Sequence, residues 1–203
     1  MVKAASSYRI SGPGYVPSVT AQIDDSTIFQ YFPANPLSFL SSRLSQFTKA
    51  TRIFTTRGSR FRTWALAAEF HQACDNIPNT LVIIKSGQYI AGGYTEVAWS
   101  SPSEETHFRS EKAFLFSVNR KKIYNIVNAD TAILCAKSRG PSFGRQGDGM
   151  NVDGEGFSEY CHGATSLLSS YNTTEIESRY SDTELWTMPD CSEVDEYEVY
   201  KLE

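Results

Sequence analysis

Gly140, Pro141, Ser142, Phe143 and Gly144 fit G-x-S-x-G, the spacing that places a nucleophilic serine on a sharp strand-to-helix turn in hydrolases. An apolar run over 132–136 precedes it, as that geometry requires, and His162 and several carboxylates follow as candidate base and acid. The next stretch, RQGDGMNVDGEG, is too rich in glycine to form the helix whose N-terminus would support an oxyanion. The expectation is therefore a tight turn with Phe143 in the core, and no catalysis.

Other chemistry fails at single positions. Asn151, Asp153, Glu155 and Gly156 occupy positions one, three, five and six of a calcium-binding loop, but position twelve is His162 where a bidentate glutamate is needed. An acidic surface turn over 140–156 explains the same residues. His71 and Cys74 lie one helical turn apart, and Cys161 adjoins His162, yet no C-x-x-C or H-x-x-x-H pair exists to seed a zinc site. No metal or other cofactor is expected. Neither is a reactive thiol, since no basic neighbour in sequence would lower a cysteine pKa. Glu193, Asp195, Glu196 and Glu198 form an acidic cluster at the last apolar run. Edge charges of this kind block sheet-to-sheet aggregation, but Glu198 in a central strand would need a cationic or hydrogen-bonding partner such as an arginine.

The elements that must position these residues are mostly strands. Residues 81–84, LVII, are an unbroken aliphatic run suited to a strand covered on both faces. A turn at Ser86-Gly87 joins them to a second strand over 89–99, whose Gly92-Gly93 pair calls for a bulge, a bend or the close approach of another backbone. Everything else is expected to pack on this hairpin. Further strands are expected at 51–56, 113–118, 132–136, around 167–168, from Tyr171, and at 196–202. Residues 100–109 read as a polar loop and 120–122 as a solvated basic turn. Asn35-Pro36 is a helix-start signal for the stripe Leu37, Leu40, Leu44 and Phe47, and 61–74 reads as a second helix. Residues 1–35 lack a period and read as an extended arm, leaving 36–203 as one domain. The class is mainly β within α+β: two antiparallel sheets packed as a sandwich with flanking helices.

Composition bounds the function. The chain has 203 residues, 13% of them aromatic, and 19 Lys and Arg against 23 Asp and Glu, for a formal charge of −4. That balance argues against a nucleic-acid platform. The four cysteines are widely spaced, and the first residues hold no apolar stretch long enough for a signal peptide or a membrane span. A cytoplasmic protein without membrane insertion is expected.

WALAAEFHQACDN (64–76), NTLVIIKSGQYIAGGYTEVAWS (79–100), AFLFSVN (113–119), GPSFG (140–144) and YEVY (197–200), in this order, resemble the TLDc domain, the module of the oxidation-resistance proteins. The resemblance runs from about residue 40 to 203. It implies a β-sandwich without a catalytic centre, binding to peripheral subunits of the V-ATPase, and protection against oxidative damage. It also implies that Gly92, Gly93, Gly144 and Glu198 matter for that role, with Trp99, Gly140 and Ser142 completing the motif set. A chain with no further module attached is also compatible with a structural part in a cytoskeletal or ciliary microtubule assembly, with tubulin or ciliary proteins as partners.

Overall fold

Residues 81–84 are fully buried at the centre of a six-stranded sheet, as an aliphatic run with no polar face demands. The structure is a computed structural model, and it describes residues 23, 25–30, 36–57, 65–145, 150–153, 160–163, 170–171 and 192–203. In chain order the strands are β1 (Ala50–Thr55), β2 (Thr80–Ser86), β3 (Tyr89–Thr95), β4 (Thr106–Phe108), β5 (Phe114–Ser117), β6 (Lys122–Asn125), β7 (Ile133–Cys135), β8 (Arg139–Phe143), β9 (Met150–Asp153), β10 (Tyr160–Gly163), β11 (Ser192–Glu193) and β12 (Glu196–Leu202). Helix α1 covers Ser41–Leu44 and α2 covers Ala65–Cys74. The first sheet runs β1-β12-β2-β3-β5-β6 and the second β11-β10-β9-β8-β7-β4, with antiparallel pairing throughout both. This is the mainly-β, two-sheet architecture expected from the sequence.

Period-two alternation gives each face of the first sheet its own core. Val82, Ile84, Tyr197 and Val199 point inward and share a cluster with Ile133, Phe143, Met150 and Val152 of the second sheet. Phe70 and Cys74 of α2 close that cluster together with Trp99. Leu81, Ile83, Tyr94, Phe116 and Tyr200 point the other way and are covered by Leu37, Leu40, Leu44 and Phe47. The apolar stripe thus covers the outer face of the first sheet.

Several elements differ from expectation, each for a local reason. The first helix is only a 3-10 turn, Ser38–Leu40, followed by α1. It has no side-chain cap, and its serines are weak helix formers, so its place depends on the buried stripe. The expected capping residue, Asn35, lies outside the described residues, as do 61–64 of the second helix. The hairpin turn falls on Gly87-Gln88, with Gly87 at φ +56°. The second strand ends at Thr95, and Trp99 instead forms an isolated parallel bridge with Asp75. Within the expected polar loop, residues 106–108 form β4, an edge strand on β7 whose polar side chains face water.

The largest correction concerns 140–156. Its beginning and middle are strands β8 and β9, not a surface turn. Gly140 belongs there because a Cβ would lie 3.3 Å from Val152. Pro141, which has no N–H for the ladder, falls where the β8–β9 register shifts. The strand expected around 167–168 lies outside the described residues. Of the one expected from Tyr171, the described part is an isolated bridge between Tyr171 and Ile126.

The boundary at residue 36 also moves. Ile28 and Phe29 are buried in the outer cluster, so the packed unit includes residues 25–30 of the expected arm. Among the described residues no helix is long and apolar enough to cross a membrane.

Candidate functional site

Glu198 is 0% exposed in β12, between β1 and β2. A carboxylate there needs hydrogen-bond donors at its oxygens. Oε1 accepts from the Thr27 backbone N–H at 2.9 Å, Thr27 Oγ1 at 2.8 Å and Arg52 Nη1 at 3.0 Å. Oε2 accepts from Ser26 Oγ at 2.6 Å and the Tyr200 hydroxyl at 3.0 Å. Thr27 Oγ1 also reaches Glu196. Arg52 comes from the neighbouring strand, where its Cα partner is Tyr200. Partial burial alone would lower the Arg52 pKa, but Asp25 and Glu198 outweigh it and hold the guanidinium charged. Burial, reinforced by Glu198, pushes the Tyr200 phenol far up, so it stays a donor.

The arginine partner was legible as a requirement of a central Glu198. Ser26 and Thr27 were not, because the segment around them has no period; the only trace is the polar-to-apolar step at Ser26-Thr27-Ile28-Phe29. That ordered stretch rests on the chain's own sheet, through Glu198.

Gly92 and Gly93 serve opposite faces of β3. A Cβ on Gly92 would lie 2.1 Å from the Val82 carbonyl and 2.4 Å from the Phe116 ring. On Gly93 it would lie 2.7 Å from the Phe143 ring and 2.9 Å from Leu115. The pair is thus explained by close approach. Phe143 packs edge-on against Trp99, ring centroids 5.4 Å apart, and Trp99 donates its indole N–H to Thr80 Oγ1 at 2.8 Å. Gly144, at φ +88°, turns the chain out of β8 while its N–H donates to Ala132 O. Gly93, Gly140, Gly144, Phe143 and Trp99 therefore meet around the inter-sheet core, whereas Gly92 and Glu198 face the outer side.

Ser142 is fully buried within β8, and its hydroxyl donates to Gly140 O at 3.3 Å. The motif forms no strand-to-helix elbow. Asn151 and Asp153 lie in the extended strand β9, and Asn151 pairs in register with His162 of β10, a hairpin and not a calcium-binding loop. Glu155 and Gly156 lie outside the described residues. Among the described residues no group of three or more His, Cys, Asp or Glu could hold a metal. His71 has both ring nitrogens engaged, Nδ1 with Asp75 Oδ1 at 2.7 Å and Nε2 with Ala136 O at 2.9 Å, so it ties α2 to the end of β7.

The family model of the TLDc domain matches residues 24–203. The chain belongs to the TLDc domain family. The match starts one residue before the ordered segment that Glu198 holds, so the TLDc unit includes Ser26 and Thr27. No curated protein matches the chain.

Proposed function

We propose that this TLDc chain is a non-catalytic interaction module that docks on the peripheral subunits of the V-ATPase, with protection against oxidative damage as its cellular role. Family membership over residues 24–203 carries this reading. The burial of the Ser142 hydroxyl inside a strand supports the non-catalytic part. Docking of this kind is shape recognition by loops on a rigid sandwich. The glycines and Glu198 act on it indirectly, by setting the geometry of the strands that carry those loops.

Native affinity purification of the full-length protein from its own cell tests the proposal. V-ATPase peripheral subunits are expected at stoichiometric level. Stoichiometric tubulin or other filament proteins in their place would overturn it in favour of a building block of a cytoskeletal or ciliary assembly. Glu198→Ala is unsuitable as an interface probe, because the side chain offers no surface to a partner.

A further inference from the structure

We infer that residues 25–30 form a releasable strap over the outer face of the first sheet, with Glu198 as its catch. The hydrogen bonds that run from residues 25–27 to the sheet all use a side chain at one end or both. They are Ser26 and Thr27 to Glu198, Thr27 to Glu196, and Arg52 to the Asp25 carbonyl. Behind this catch Ile28 and Phe29 join the same apolar cluster as Leu81, Ile83 and Tyr200. Three of these five hydrogen bonds end on the Glu198 carboxylate, and Arg52 adds an ion pair with the Asp25 side chain at 3.6 Å.

The sheet beneath does not depend on the strap in the same way. β12 is laddered to β1 on one side and to β2 on the other along its length. When the strap leaves, Glu198 keeps Arg52 and Tyr200, both carried by the sheet itself. Opening therefore leaves no buried charge without a counter-charge, and it admits water to the vacated side. These are the conditions for a local opening separate from global unfolding. In the closed form the chain's own Ile28-Phe29 pair shares the apolar face with Leu37, Leu40, Leu44 and Phe47, and strap opening governs how much of that face is offered.

Hydrogen exchange on the full chain tests this, read at the Thr27 and Phe29 amides and at the β2 amides. Thr27 N–H is bonded to Glu198, and Phe29 N–H to Ser26 Oγ at 3.2 Å, so both report the catch. The strap amides are expected to exchange faster than those of β2. Glu198→Gln, which turns an all-acceptor carboxylate into a half-donor amide, is expected to accelerate them about tenfold or more while β2 changes little. The double variant Ser26→Ala, Thr27→Val loosens the catch from the strap side, leaves β12 untouched, and is expected to act likewise. It decides the matter if Glu198→Gln fails to fold. Equal exchange of strap and β2 amides, accelerating together in the variants, would overturn the inference, and so would strap amides indifferent to both changes.

Discussion

Ser26 Oγ donates to Glu198 Oε2 at 2.6 Å across 172 residues of sequence, joining a segment ahead of the first helix to the last strand. The same carboxylate neutralises Arg52, whose side chain is only 24% exposed. Glu198→Ala leaves the Ser26, Thr27 and Tyr200 donors without this acceptor and Arg52 with Asp25 as its remaining partner. The expected loss is about 3–5 kcal/mol, read as a fall in the denaturant midpoint. The double variant Arg52→Met, Glu198→Leu is expected to recover part of that loss, since it removes both charges together.

The two adjacent glycines of β3 should differ in severity. Gly92→Ala meets a backbone carbonyl, which cannot move without breaking the β2–β3 ladder, and is expected to cost about 3 kcal/mol or more. Gly93→Ala meets first the Phe143 and Leu115 side chains, which can shift, and is expected to cost about 1–3 kcal/mol. Phe143→Leu should relieve part of the Gly93→Ala defect. Phe116→Leu should not rescue Gly92→Ala, because the Val82 carbonyl remains. Thermal midpoints of the four variants and the two pairs check this.

Alkaline pH should unfold the protein through buried phenols. Burial, with Glu96 adding to it, pushes Tyr94 up to about 12 and Tyr171 well above its ordinary value of 10; burial and Glu198 do the same to Tyr200. A group whose pKa is raised on folding contributes its full stability below the unfolded value and loses it as pH rises through the folded one. Stability is thus expected to fall from pH 10 upward, with the Tyr94 contribution gone by about 12. Denaturant midpoints measured against pH should fall less steeply above pH 10 in Tyr94→Phe.

Cys74 and Cys135 should resist modification in the folded state. Both are buried; burial and Asp75 raise the Cys74 thiol, while burial raises Cys135 against the opposing effect of Ser100. With Cys161 and Cys191 replaced by serine, alkylation at neutral pH is expected only after denaturant is added. Fast labelling of either under native conditions would mean that the inter-sheet core opens at these sites, and would make them candidates for a direct redox role.

The pattern of 81–84, 113–118 and 196–202 was enough to read β2, β5 and β12 of the first sheet, because residues covered on both faces or on alternate faces leave that trace in the chain itself. The demand of a central Glu198 for a cationic or hydrogen-bonding partner was legible for a similar reason: a buried carboxylate has few ways to be satisfied. Strands β8 and β9 were not, because they lie in a stretch, 140–156, whose glycines read as a turn until Val152 is seen pressing on Gly140. Edge strand β4 reads as loop because one side of its ladder and much of its surface face water. Ser26 and Thr27 left only a polar-to-apolar step in the sequence, since their hydroxyls gain a role only when β12 brings Glu198 to them. Local pattern thus determined which segments are apolar and extended. Contacts between residues far apart in the chain decided which glycines are strand positions, and that the packed unit begins ahead of its first helix.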